Sequence, residues 1–139
     1  MKVIALIGDE NTGKSHTINI VYTFLLKDGY VQIPGHFREL GNSAHKDFID
    51  ILEYNDKKVG FVSLGDYVTG VGRSLRSLLE ELRVKGCDVA ICASRNNPKI
   101  ISAVTAYPLH ILENKTHSSG RENDRIVNVK DALKMMSHI

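Results

Sequence analysis

The sequence is poor in cysteine and has no long apolar run. Its two cysteines, Cys87 and Cys92, lie in or beside one predicted strand, an odd number of positions apart. Side chains alternate between the two faces of a strand, so if both residues belong to it their thiols point to opposite faces. A disulfide is then not expected. We predict that both cysteines are reduced core residues.

No segment approaches the roughly 20 apolar residues that a membrane-spanning helix needs. The apolar run at residues 3–7 is too short for a signal peptide and leads directly into a glycine-containing motif, so we assign it to the fold. With 42% hydrophobic and 24% charged residues, the composition is that of an ordinary globular protein. We expect a cytoplasmic protein that does not use a membrane as a partner.

The excess of positive charge is also small. A formal net charge of +2, without basic residues clustered between aromatic ones, argues against nucleic acid as a partner. The histidines lack the spacing and the companion residues of a metal site and are expected to be ordinary surface or core residues. They are His16, His36, His45, His110, His117 and His138.

A chain of 139 residues has the length of one domain, which we place at residues 1–139. Strands are predicted at residues 2–7, 48–54, 58–64, 88–93, 109–112 and 125–129, and helices at residues 14–27, 74–85, 98–106 and 130–139. Residues 55–57 are predicted to join a β-hairpin and residues 113–124 to form a loop, while Leu133 and Met136 are expected to reach the core. The pattern predicts an α/β fold of three layers, with a mostly parallel sheet that carries one antiparallel hairpin at its edge.

Residues 8–15 match the pattern G-x-x-x-x-G-K-[ST] at every fixed position and lie between a predicted strand and a predicted helix. Gly8 and Gly13 let backbone N–H groups turn toward one point, and the helix adds the positive end of its dipole, so the loop suits phosphate. Lys14 is predicted to bridge the β- and γ-phosphates and Ser15 to bind Mg²⁺. The predicted nucleotide contacts are Gly8, Glu10, Asn11, Thr12, Gly13, Lys14, Ser15 and His16.

Asp66 is the second predicted magnesium residue, because it follows the apolar run at residues 59–64. We call residues 8–15 the P-loop, and we expect the run at residues 59–64 to be a strand beside the strand that precedes it. Asp66 would then reach the metal through water, as a Walker B residue does. The alternative is that Asp66 is a turn aspartate. Tyr67 stands where motor-type ATPases have a catalytic glutamate, which favours slow hydrolysis. Arg73 is the preferred arginine for the phosphates, so the predicted catalytic residues are Lys14, Asp66 and Arg73. The other arginines considered are Arg76, Arg95, Arg121 and Arg125.

Over about residues 1–116 the order of elements resembles the kinase–GTPase branch of the P-loop NTPase superfamily, and more narrowly the small GTPases. Those proteins have a D-x-x-G motif after the hairpin and an N-K-x-D motif whose aspartate binds guanine. The corresponding stretches here are residues 66–70, one residue longer, and Asn114-Lys115-Thr116 followed by His117. Histidine cannot accept the paired hydrogen bonds that a carboxylate takes from guanine, so this departure removes the best argument for GTP. We favour ATP as the nucleotide, and the sequence leaves the choice between ATP and GTP open. Residues 31–46 also lack the threonine with which a small GTPase contacts magnesium.

Three hypotheses follow. The first is a P-loop protein that binds a nucleoside triphosphate with Mg²⁺ and catalyses slow hydrolysis or phosphoryl transfer. The second is a nucleotide-dependent switch whose loops at residues 37–46 and 66–73 rearrange to bind a protein partner. The third is a small-molecule or nucleotide kinase, as in the other members of the resembled branch, with residues 113–125 as a lid over the phosphates.

Overall fold

The structure is a computed structural model that describes residues 1–9, 12–40, 47–64, 74–118 and 120–139, without the side chains of residues 121 and 122. The described residues form seven strands and four helices. In chain order these are β1 (Lys2–Ile7), α1 (Lys14–Lys27), β2 (Val31–Gln32), β3 (Arg38–Glu39), β4 (Phe48–Tyr54), β5 (Lys57–Ser63), α2 (Leu75–Val84), β6 (Val89–Ser94), α3 (Pro98–Thr105), β7 (His110–Asn114) and α4 (Arg121–Met136).

One mixed sheet contains all these strands, in the order β2-β4-β5-β6-β1-β7, and β3 also pairs with β4. The strands β5, β6, β1 and β7 are parallel to one another, whereas β4 is antiparallel to β5. The prediction of an α/β fold with mostly parallel strands is therefore confirmed. The hairpin does not form the edge of the sheet, because the short strands β2 and β3 cover the outer side of β4.

The sheet is covered by helices on both faces, as predicted. One core cluster contains alternate residues of β1, including Val3 and Ala5, together with the buried leucines of α2 and Val104 of α3. The other contains the remaining residues of β1, such as Ile4, with Ile18 of α1 and residues of α4. This alternation follows from the period of two in a strand and produces the three layers.

The tight connections have simple causes in the sequence. Asn55 and Asp56 take positive φ values of 50° and 65°, which suits a two-residue hairpin turn between β4 and β5. The Ser74 hydroxyl accepts a hydrogen bond of 3.1 Å from the Ser77 N–H and caps α2. Pro98 opens α3 in its first turn, where a missing N–H costs nothing.

The C-terminal region differs from the prediction. Residues 125–129, predicted as a strand, belong to α4, which begins at Arg121 within the stretch predicted as a loop. The β-branched residues there favour a strand locally, but in the structure they belong to a helix that packs against α1. Leu133 is 52% exposed, so its expected contact with the core is wrong. Ala132, one position earlier on the helix, and Met135 are fully buried instead.

Cys87 and Cys92 are free and buried, as predicted, but they do not lie on opposite faces. Cys87 precedes β6, and both thiols belong to the core cluster beneath α2 and α3. Within the described part of the chain, no helix has both the length and the apolar character required to span a bilayer.

Candidate functional site

The predicted P-loop leaves the sheet at its carboxyl edge, between two neighbouring strands. The Gly8 N–H donates to the Ser94 carbonyl at the end of β6 at 3.0 Å. The Lys115 N–H donates to the Ile7 carbonyl at 2.7 Å. Because ligands of parallel sheets bind beyond the carboxyl ends of the strands, this position suits a binding loop.

Gly13 directs the loop into α1. Its φ of 90° lies in the left-handed region, and a Cβ added there would lie 3.0 Å from Oδ1 of Asn128 in α4. Glycine is therefore favoured at this position for both backbone and packing reasons. No side chain of the described residues caps α1, so the positive end of its dipole faces the loop.

Lys14 is only 6% exposed although it carries a charge. Its Nζ atom donates to the Asp9 carbonyl at 2.6 Å, and the Thr12 hydroxyl donates to the same carbonyl at 2.8 Å. The lysine side chain therefore lies folded back against its own loop, with its ammonium group beside the loop's backbone.

Asp47 is a candidate site residue that the sequence patterns did not reveal. The Ser15 hydroxyl donates to Oδ1 of Asp47 at 3.2 Å, and Asp47 is only 6% exposed. Asp47 directly precedes β4, and since β4 is antiparallel to β5, the start of β4 lies at the carboxyl edge of the parallel strands. A carboxylate just before an antiparallel strand was the available signal.

A second hydrogen bond joins α1 to β4, farther along both elements. The Tyr22 hydroxyl donates to Oδ2 of Asp50 at 2.7 Å. Seven residues of helix separate Ser15 from Tyr22, about 10.5 Å of rise, and three residues of strand separate Asp47 from Asp50, about 10 Å. The two spacings are similar, which is consistent with the presence of both hydrogen bonds between α1 and this part of the chain. Burial, and then the Asp50 carboxylate, raise the pKa of Tyr22, which keeps it a neutral donor.

Lys115 lies directly against the start of the predicted P-loop. The Lys115 side chain is 1% exposed and lies 2.9 Å from Asp131, which is 3% exposed. A Cβ on Gly8 would lie 2.9 Å from Cβ of Lys115. Burial acts to raise the pKa of Asp131, but hydrogen bonds from Thr116 and the charge of Lys115 outweigh it and hold that pKa below its usual value. Lys115 is thus committed to an ion pair beneath the P-loop.

Several predicted residues lie outside the described residues, namely Glu10, Asn11, Asp66, Tyr67 and Arg73, as does the Arg121 side chain. His16 is exposed in the first turn of α1. Arg76 donates to the Ser102 hydroxyl at 3.2 Å, on the side of the sheet that α2 and α3 cover.

The strand expected beside the P-loop strand is not its neighbour. β6 lies between β5, which precedes Asp66, and β1. Arg95 directly follows β6 and therefore lies at the carboxyl edge of the parallel strands. Its strand is the neighbour of β1, which leads into the predicted P-loop. Of the arginines considered, it is the one whose strand pairs with β1.

The oxygen atoms of Ser15 and Asp47 form a pair of potential metal ligands. Among the described residues, no three His, Cys, Asp or Glu side chains come together in a way that could hold a metal ion. Oxygen donors are nevertheless what Mg²⁺ prefers, and this ion commonly keeps several waters and takes only one or two protein ligands. The pair therefore fits magnesium as a partly protein-held ion.

No protein-family model, no curated protein and no solved structure matches the chain. Its class thus rests on its own geometry: an α/β protein of three layers around a mixed, mostly parallel sheet.

Proposed function

We propose that this chain binds a nucleoside triphosphate, ATP by preference, together with Mg²⁺ at residues 8–15, and that it catalyses slow hydrolysis or phosphoryl transfer. The observation that carries the proposal is the start of α1: a left-handed Gly13, no capping side chain among the described residues, and Lys14 folded onto the loop. This combination suits an anion with several oxygens at the helix N-terminus.

The phosphates would be held by backbone N–H groups at the start of α1 and by the Lys14 ammonium. In the structure that ammonium donates to the Asp9 carbonyl. A phosphate oxygen accepts a stronger, charge-assisted hydrogen bond than a neutral carbonyl, so Lys14 would exchange this partner for the β- and γ-phosphates on binding. The Lys14 ammonium would thus keep a hydrogen-bond acceptor before and after the nucleotide binds.

Ser15 and Asp47 would hold the magnesium ion, with Asp66 as the further residue expected from the sequence. When bound, the ion would neutralise the charge that develops on the phosphates. The chain's own contribution is positioning, because Asp47 orients the Ser15 hydroxyl and α1 fixes the distance between serine and lysine. Slow turnover follows from the tyrosine at position 67, where a catalytic carboxylate would be expected.

A thermal-shift comparison of the protein with the Lys14→Ala variant tests binding. With Mg²⁺ present and nucleotide at 100 times Kd, binding adds about 2.7 kcal/mol, or roughly 10 °C in Tm for a domain of this size. We expect this shift with ATP and its loss in Lys14→Ala. Lys27→Ala is the matched control, since Lys27 is an exposed lysine at the other end of α1. If neither ATP nor GTP raises Tm, the proposal is wrong.

Phosphate release separates the remaining alternatives. Slow release by the protein alone identifies a hydrolase. Nucleotide consumption that rises only when a small-molecule acceptor is added identifies a kinase. Binding without consumption, combined with a partner affinity that differs between di- and triphosphate, identifies a switch.

A further inference from the structure

A groove runs along the outer side of α1, between this helix and α4. It has a volume of about 430 Å³ and is lined by residues of both helices. Small-molecule pockets in proteins span roughly 300 to 1,000 Å³, so the groove is large enough to bury part of an organic ligand. The residues that matter below are His16, Ile20 and Phe24 on α1, and Arg125 and Asn128 on α4.

The groove begins at the phosphate loop. His16 directly follows Ser15 and lines the groove. Asn128 lines it too, and the Thr17 hydroxyl donates to its Oδ1 atom at 3.4 Å. The same Oδ1 atom packs against the left-handed Gly13. One side chain thus forms a wall of the groove and a support of the P-loop, which makes the two sites continuous.

The chemistry of the lining changes along the groove. Ile20, Phe24 and Val129 provide apolar surface, whereas His16, Asn128 and Arg125 provide polar groups that can donate or accept hydrogen bonds. A mainly apolar wall with a few convergent polar groups is the usual lining of a ligand site. A nucleoside has the matching character, with flat aromatic faces on its base and polar atoms along the edges of its base and ribose.

We propose that this groove between α1 and α4 binds the base and ribose of the nucleotide whose phosphates occupy residues 8–15. The proposal rests on the proposed function and assigns the nucleoside half of the same ligand. Asn128 links the two halves of the ligand site, because it packs against Gly13 and also lines the groove.

A single-tryptophan probe can test the assignment, because the chain has no tryptophan of its own. Thr23 is exposed and lines the groove, so Thr23→Trp places a fluorophore there without burying new volume in the core. Leu26→Trp is the matched control, an exposed position on the same helix outside the groove lining. Each variant is titrated with ATP and with inorganic tripolyphosphate, both with Mg²⁺, and Tm is measured in parallel.

We expect ATP to change the emission of Thr23→Trp, or to lose affinity for that variant, while tripolyphosphate still binds and leaves the emission unchanged. Leu26→Trp should respond to neither ligand. In the unsubstituted protein, ATP should bind about tenfold or more tighter than tripolyphosphate, because only ATP fills the groove.

Two outcomes overturn the assignment. If ATP raises the Tm of Thr23→Trp as it does that of the unsubstituted protein, without any change in emission, the nucleoside binds elsewhere and the proposed function stands. Equal affinities of ATP and tripolyphosphate would show that the nucleoside contributes no binding free energy, which also overturns the assignment and leaves the proposed function standing. If neither ligand binds the protein or its Lys14→Ala variant, the proposed function itself fails and this assignment fails with it.

Discussion

The buried ion pair beneath the P-loop gives the sharpest quantitative prediction. Asp131 accepts hydrogen bonds from Nζ of Lys115 at 2.9 Å, from the Thr116 N–H at 2.9 Å and from the Thr116 hydroxyl at 2.7 Å. The Lys115 and Asp131 side chains are 1% and 3% exposed. The substitution Asp131→Asn keeps the shape but removes the negative charge and places an NH₂ group where one carboxylate oxygen accepts.

The expected cost is large because Lys115 would be left as a buried cation without its counter-charge. Breaking a buried pair from one side typically costs about 3–5 kcal/mol. A chain of this length has roughly 7–20 kcal/mol of total stability. We therefore expect Asp131→Asn to remove a substantial fraction of the stability and to lower Tm by about 10–20 °C.

Urea unfolding followed by far-UV circular dichroism measures this loss. The double variant Lys115→Met with Asp131→Leu should recover most of the stability, because it leaves no unpaired buried charge. Glu80→Gln, which removes an exposed ion pair with Arg83 on α2, is the matched control and should change the midpoint little. A loss below about 1 kcal/mol in Asp131→Asn, or a double variant as unstable as the single one, would refute the reasoning.

The same pair predicts the behaviour in acid. The pKa of Asp131 is lowered in the folded protein, so its contribution to stability is complete above the pKa of the unfolded chain and is lost as pH falls through the lower folded value. The stability of the unsubstituted protein should therefore fall below about pH 4, and Asp131→Asn should flatten that decline. An equally steep decline in the variant would contradict this assignment.

Three further substitutions or treatments test other parts of the structure. A Cβ on Gly60 would lie 2.7 Å from Cδ1 of Leu82, so Gly60→Ala should cost about 1–3 kcal/mol in urea unfolding, and an unchanged midpoint would contradict the packing. Burial raises the pKa of Cys87 to about 11 and that of Cys92 to about 12, so a thiol reagent at about pH 8 should modify neither until urea is added; rapid labelling of the folded protein would disprove this. Asp47→Asn should raise the Mg²⁺ concentration needed for half of the nucleotide-induced Tm shift by about tenfold, and an identical Mg²⁺ midpoint would remove Asp47 from the metal site.

Local sequence patterns predicted most of the elements correctly. The bounds of β1, α1 and β4 agree with the prediction, and the hairpin turn and the start of α3 are marked by Asn55-Asp56 and Pro98. These features are set within a few residues, by side-chain period, capping and turn preferences, so the sequence contains the information directly. The error at residues 125–129 has the opposite cause, since packing against α1 outweighed a local strand preference.

Some residues of the candidate site could be predicted from the sequence, and others were found only in the tertiary structure. Residues 8–15 could be predicted as a phosphate loop because the pattern is formed by consecutive residues. Asp47 and Asn128 were missed, since each reaches the loop from an element that is distant in the sequence. The Asn114-Lys115 pair suggested a base-binding motif, but tertiary packing commits Lys115 to Asp131 instead.

The sequence by itself therefore determined the match of residues 8–15 to the G-x-x-x-x-G-K-[ST] pattern, the helix that follows it and the α/β class. The tertiary structure decided the rest: that β6 lies between β5 and β1, that an antiparallel β4 brings Asp47 to Ser15, and that α4 forms a groove with α1. The physical reason is that strand order and helix packing are set by the burial of whole faces. That burial depends on residues far apart in the chain and leaves no signal in any single segment.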